Sequence, residues 1–277
     1  MTSIPATFRT AVLDAWSNRR SFWIQVSIML ANDLAWVAFW LLFFNRVGSI
    51  RGWDAQRVLL LFAILTTIAG IALGLLANAR NIGTLAARGE LDAVLVLPVS
   101  TLPYLLVRRI DTTMLGDLLF GPILFVFAGA PTPERTAIYI LGSICGAAVM
   151  AGFLIAAVGA LTLFIGGRGE QGDLAFQAIL ILASYPLDLF AGATKLLLFT
   201  AVPAAFVTGL PTMLVDEFNV ATALALVGAA GGFIALGAIS FKLGLRKYAS
   251  GAVWTRAGRA MKVGQATAPA RGTWNSR

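Results

Sequence analysis

The chain has 277 residues, 58% of them hydrophobic and only 12% charged, with a mean hydropathy of +0.83 and a formal charge of +8. A soluble domain of this length needs about twice that share of charge to hydrate its surface, so the composition excludes a water-soluble globular protein. The basic excess does not mark a nucleic-acid binder, because eight of the 21 basic residues (Lys242, Arg246, Lys247, Arg256, Arg259, Lys262, Arg271 and Arg277) fall at or after the end of the last apolar run.

Residues 5–18 open the chain with Phe8, Val12 and Trp16 recurring every four positions and Thr7, Thr10 and Asp14 opposite them. This pattern predicts an amphipathic helix that lies in a membrane interface or packs on protein. The first apolar run, 22–44, is too long for a cleavable signal and reads as its own insertion signal. A short loop with Arg46, Arg51, Gly52, Trp53 and Asp54 leads to a second span at 58–77. A polar segment at 78–100 and a helical lead-in at 102–109 precede a third span at 112–128, with a kink expected at Gly121-Pro122. After a turn at Pro131 and Pro133 comes a fourth span at 138–165, then a glycine-rich loop, Gly166 to Asp173.

The segment 174–219 is apolar but interrupted by Pro186, Asp188, Gly192, Lys195, Pro203, Gly209 and Pro211. Residues 174–185 are too short to cross a bilayer, so the fifth span is extended through Pro186 to about 190 with a kink. Residues 191–215 are then expected to enter the membrane as short re-entrant helices and turn back, with Tyr185, Pro186, Pro203 and Pro211 shaping a gate. The last span is 220–243. The fold class is therefore all-α integral membrane: six transmembrane helices, an N-terminal interfacial helix, and re-entrant helices before the last span. Residues 1–245 form the transmembrane domain and 246–277 a disordered basic tail, attracted to anionic lipid.

Six spans put both termini on one side. With cytosolic termini, 16 basic residues fall inside, and Arg46, Arg51, Arg57, Arg135 and Lys195 outside. This bias predicts a multi-pass plasma-membrane (cell inner membrane) protein with both termini in the cytosol. The glycine pairs Gly70/Gly74, Gly142/Gly146 and Gly228/Gly232 read as helix-packing positions.

Few residues can carry chemistry. The chain has no histidine and a lone cysteine, Cys145, which leaves no metal site, no expected cofactor and no common catalytic triad. The glycines at 166–172 lack the lysine of a phosphate-binding loop, so the chain does not hydrolyse ATP by itself. Asp33 and Asp117 are ionisable residues at membrane depth. They line a pathway or are held structurally by Asn32 and by hydroxyls such as those of Thr112 and Thr113. In the connector, Arg88, Gly89, Glu90, Leu91 and Asp92 precede Val94, Leu95, Leu97 and Pro98, a charged turn followed by an apolar pattern that can dock a partner.

The order of these elements resembles the permease subunits of type-2 ABC exporters. The phrases that carry the resemblance are Gly48-Ser49-Ile50-Arg51-Gly52-Trp53, Arg88-Gly89-Glu90-Leu91-Asp92 with Leu95 and Pro98, Gly116-Asp117-Leu118-Leu119-Phe120-Gly121, Tyr185-Pro186, and Pro203-Ala204-Ala205-Phe206 with Pro211. They look like one branch in which two permeases work with a separate ATPase. The resemblance implies a membrane-spanning permease of an ATP-driven exporter, paired as a homo- or heterodimer. It places Arg88 to Asp92 near the ATPase subunit and 191–215 near the exit, and it names no substrate. Two other functions fit the residues alone: an ion-coupled secondary transporter using Asp33 and Asp117, and a non-transporting membrane scaffold.

Overall fold

The computed structural model describes residues 4–158, 163 and 171–248, and among these residues there is no β-strand. The tail beyond Tyr248 and most of the glycine-rich loop lie outside the described residues. Helix α1 spans Ile4–Ser17, α2 Arg19–Val47 and α3 Ala55–Ala87. Two short helices follow, α4 (Glu90–Leu95) and α5 (Thr101–Val107), then α6 (Leu115–Phe127) and α7 (Pro133–Val158). Helix α8 covers Gln171–Ala183, α9 Gly192–Thr200, α10 Ala205–Asp216 and α11 Val220–Lys247.

Side chains start several of these helices. The Asn18 carboxamide oxygen accepts from the Ser21 amide at 3.1 Å, the Asp54 carboxylate from the Arg57 amide at 2.9 Å, and the Asn219 side chain from the Ala221 amide at 2.8 Å. Each satisfies a donor that the first helical turn leaves free. Gly48, at φ +80°, ends α2.

Four helices (α2, α3, α7 and α11) are long and apolar enough to cross a membrane, five spans if the bent pair α9–α10 is counted as one. The central pair is α3 and α7, whose apolar stretches are mostly buried. Helices α2 and α11 bury only a minority of their apolar residues and turn others such as Ile28, Leu42, Leu224 and Ile234 outward. In water such faces would be a liability; in hydrocarbon they are at home.

The second span is longer than 58–77. Helix α3 runs 33 residues, through a π-helical stretch at Gly70–Leu75, into what reads as a polar segment. The extension forms because Ala79, Ile82 and Ala86 recur at helical spacing and are buried, so 78–87 is amphipathic and continues the rod. The third and fifth expected spans are helices of 13 residues each, α6 and α8. At 1.5 Å per residue such a helix reaches about 20 Å, short of a hydrocarbon core of about 30 Å. Helix α6 runs unbroken past Gly121-Pro122, and Gly121 has no room for a side chain against Thr67 of α3. Helix α8 stops at Ala183 and does not continue through Pro186. Proline disfavours helical geometry in the residue before it, and Leu187–Leu189 forms a separate 3-10 turn.

Residues 192–216 form the bent pair, α9 and α10 meeting at 79° across a break that contains Pro203. Pro211 does not interrupt the backbone as expected. It lies in the first turn of the α-helical stretch Leu210–Asp216, reached from a π-helical turn at Ala205–Gly209, where a missing amide donor is tolerated. Of the glycine pairs, Gly70, Gly74, Gly142 and Gly146 meet neighbouring helices. Among the described residues nothing lies within 4 Å of where a Cβ of Gly228 or Gly232 would stand, so no described helix packs against them there.

Candidate functional site

The bundle has two polar ends and a polar middle. At the first end, the loop between α2 and α3 makes a tight turn in which Ile50 and Trp53 exchange backbone hydrogen bonds at 2.9 Å. Arg51 and Gly52 take positive φ of 50° and 81° to close it. Glycine adopts this geometry freely, whereas Arg51 is an uncommon non-glycine residue in it. The turn buries the Trp53 ring and sends its indole N–H to the Asp188 carboxylate at 3.1 Å. Arg51 donates to the Asp188 backbone carbonyl at 3.1 Å, and Lys195 of α9 lies 3.6 Å from the other Asp188 oxygen. Arg57, at the start of α3, pairs with Asp216 at the end of α10 at 3.1 Å. Both ends of the segment 188–216 are thereby fastened to one loop, so the bent pair leaves this end of the bundle and returns to it. The Gln56 side chain donates to the Ala128 carbonyl at 3.1 Å, which brings the end of α6 to the same place.

At the opposite end, Arg80 of α3 lies 3.6 Å from Asp111 and stacks on Phe176 of α8, 5.0 Å from the ring centre. The Asn78 side chain donates to the Leu105 carbonyl at 2.7 Å, and the Tyr248 hydroxyl to the Ala86 carbonyl at 3.1 Å. Helices α4 and α5 are held here. Gly89 starts α4 with φ +75°, Leu91 and Val94 are buried as anchors, and Glu90 is half-exposed with Arg88 at 3.9 Å. The apolar pattern that follows therefore divides: Leu95 and Leu97 stay partly exposed and Val96 is 81% exposed. A groove of about 420 Å³ runs between this element and α1, lined by residues including Thr10, Asp14, Ala93, Leu97, Tyr104 and Arg108. Helix α1 buries only Ala11 and leaves Val12, Leu13 and Trp16 exposed.

Between the two ends, the structure brings Asp33 of α2 and Asp117 of α6 together. Their carboxyl groups lie close enough to interact and line one cavity of about 200 Å³. Asn32 donates to the second oxygen of Asp33 at 3.5 Å. Thr112 and Thr113 do not reach either aspartate, because both bond the Gln25 side chain, Thr113 at 3.3 Å. A carboxylate has no hydrogen to donate, so contact between two of them is unfavourable unless a proton or another cation lies between them. Among the described residues no Lys or Arg lines the cavity.

The rest of the lining is aromatic and was not singled out in the sequence, apart from Tyr185: Trp36 and Trp40 of α2, Phe62 of α3 and Phe176 of α8. The tryptophans sit three and seven residues after Asp33, on the helical face it occupies, which is the signal that could have found them. Nothing local announces Asp188 and Asp216 as partners of Trp53 and Arg57, since the contacts cross more than 130 residues. Tyr185 lines the cavity and packs edge-on against Trp40 at 6.3 Å, whereas Pro203 and Pro211 belong to the bent pair and do not line it.

A family model described as ABC-2 family transporter protein matches residues 30–252. No curated protein and no solved structure matches the chain.

Proposed function

We propose, from the premise that this chain belongs to the ABC-2 family of transporter proteins, that it is the permease subunit of an ATP-driven exporter. Membership makes it a multi-pass membrane permease that is not itself catalytic and that associates with an ABC ATPase subunit. The finer reading is export, with six crossings between two polar ends. In this reading α2, α3, α6, α7, α8 and α11 are the crossings, with the short helices α6 and α8 completed by the turns next to them, such as Leu187–Leu189 after α8. The bent pair α9–α10 enters and leaves at the Trp53 end, the outer side on the 16-to-5 division of basic residues. Both termini, α1 and the basic tail are then cytosolic, with α1 in the interface and the tail on anionic lipid.

One observation supports the coupling assignment most directly. Leu91 and Val94 pin α4 to the bundle while Leu95, Val96 and Leu97 stand exposed beside Glu90, in a segment with no hydrocarbon-length helix to shelter them. An apolar ridge with charged neighbours on a rigid element suits a partner's groove. Arg88, Gly89, Glu90, Leu91 and Asp92 form the base of that ridge. ATP binding in the partner would move a permease pair, homo- or heterodimeric, between two states. The test is Val96→Glu, alone and with Glu90→Ala and Asp92→Ala, in full-length protein. We expect loss of ATPase co-purification with normal membrane insertion, and unchanged assembly in the triple variant would remove the assignment.

A second reading, ion-coupled transport without ATP, is favoured by the meeting of Asp33 and Asp117. It requires substrate movement driven by an ion gradient in vesicles depleted of ATP, which the export reading does not.

A further inference from the structure

Among the described residues, five buried side-chain atoms lack a hydrogen-bond partner, and three of them belong to the cavity between the two polar ends: Asp33 Oδ2, Asp117 Oδ1 and Trp40 Nε1. All three residues are more than nine-tenths buried, at 6%, 2% and 8% exposure. Buried polar groups are nearly always satisfied in folded proteins, so three orphans around one hollow mark a place where something binds. The orphans specify its chemistry. Two carboxyl oxygens call for a cation that donates hydrogen bonds, and the indole N–H calls for an acceptor close to that cation. The rings of Trp36, Trp40 and Phe62 add faces that attract positive charge.

Size and surroundings specify the rest. At about 200 Å³ the cavity is smaller than the roughly 300–1,000 Å³ that encloses a whole drug-sized ligand, so it takes a head group. A second hollow of about 500 Å³ continues from it and shares Asn32, Trp36, Trp40 and Tyr185, then runs outward along Ala35, Phe39 and Phe43 of α2. That groove is apolar and lies on the face of α2 that the bundle leaves uncovered.

We propose that the Asp33–Asp117 cavity, with the aromatic groove leading into it, is the cargo site for an amphiphilic amine, whose ammonium N–H groups bond the two carboxylates and whose neighbouring oxygen accepts from Trp40. This rests on the transporter reading only in calling the ligand cargo; the site itself follows from the orphaned atoms. Primary and secondary ammonium groups satisfy both carboxylates, whereas a quaternary ammonium carries charge without hydrogens. The ammonium of a bilayer lipid and that of a free small molecule share this chemistry.

The full-length chain in phosphatidylcholine nanodiscs, with empty nanodiscs as background, tests the site by equilibrium binding of radiolabelled 2-aminooctan-1-ol. We expect saturable binding that octylamine competes for better than octyltrimethylammonium and that 1-octanol does not displace. Asp33→Asn and Asp117→Asn should each weaken it by about tenfold or more, the loss of one charge-assisted hydrogen bond. Trp40→Phe should weaken the amino alcohol by a larger factor than octylamine, because only the amino alcohol loses the indole N–H, and it keeps the test decisive if the aspartate variants do not assemble. No saturable binding, equal binding of the quaternary analogue, or full affinity in both asparagine variants overturns the proposal. Displacement by added phosphatidylethanolamine would support the site and identify a lipid as its occupant. Amine binding as expected, without ATP-driven uptake into inside-out vesicles holding the intact transporter, would leave the site standing and overturn the export reading.

Discussion

The turn at 50–53 and the cavity around Asp33 each set an aspartate beside a tryptophan, and they resolve it in opposite ways. At the turn, the Trp53 indole donates to Asp188, Lys195 and Arg51 close on the same residue, and Arg57 takes up Asp216 at the other end of the bent pair. At the turn only the Trp53 ring is buried and Asp188 is half exposed, whereas in the cavity Trp40 and both aspartates are buried and leave one donor and two acceptors without partners, with no basic side chain among the described residues lining the space. A closed polar network stabilises one arrangement and gives it direction. An open one destabilises the empty protein and becomes favourable only when a ligand completes it. The contrast teaches which cluster is fastening and which is a site, and substitutions can break it.

The largest effect is expected at the fastening. Trp53→Ala removes a buried ring together with the donor that holds Asp188, and truncating a buried tryptophan typically costs about 3–5 kcal/mol. Thermal unfolding in nanodiscs should show a lower Tm, and protease cleavage between 188 and 216 should begin before the bundle unfolds. Asp188→Ala comes next. It keeps the ring but leaves the indole N–H without its acceptor and Lys195 without its partner, while Arg51 keeps the Asp188 backbone carbonyl. Because the Asp188 side chain is 51% exposed, water offsets part of the loss, which should be about 1 kcal/mol. Asp188→Asn retains an acceptor and should recover part of the loss; equal losses for the two variants would show that the charge on Asp188, and not an acceptor for Trp53, carries the effect.

The cavity should respond with the opposite sign. Asp33→Asn in the empty protein lets a side-chain amide donate to Asp117, where two carboxyl groups now meet, so the variant is expected to be more stable by about 0.5–2 kcal/mol while binding is weakened. A raised Tm with lost binding would sharpen the distinction. A lowered Tm would mean that the pair is fastening as well.

How much of this was legible depends on the range of the interaction. Length and hydrophobicity suffice for α2, α3, α7 and α11, since an apolar run carries its own helix and its own solvent. The extension of α3 past Ala77 was missed because Asn78, Arg80 and Asn81 look polar in a linear reading, while only every third or fourth residue there decides burial. The stop at Ala183 was missed because extending α8 through Pro186 supplied hydrocarbon length that the helix does not have. Asp33 and Asp117 are conspicuous singly, as charges in apolar runs, but that they meet depends on how α2 crosses α6, which no local pattern encodes. The same holds for Trp53 and Asp188. Both partners can be suspected, but their pairing has to be seen.

The smallest effect belongs to the most visible ion pair. Arg57 and Asp216 stand 3.1 Å apart, but their side chains are 47% and 23% exposed, so water and salt screen them. Arg57→Ala should therefore cost no more than about 1 kcal/mol, an effect that shrinks as salt is raised, because exposed pairs contribute little. Arg57 also donates to the Gly52 carbonyl at 2.7 Å, which closes the turn that presents Trp53. Arg57→Lys tests which contact matters, since a lysine can keep the charge near Asp216 but cannot reproduce the guanidinium's two separate contacts. If Arg57→Lys is as unstable as Arg57→Ala, and salt does not change either, the residue serves the turn. If Arg57→Lys restores stability and salt removes the difference, it serves the bent pair through charge. A loss beyond about 1 kcal/mol that is independent of salt would place Arg57 with Trp53 in the closed network, and its exposure would then be a poor guide to its role.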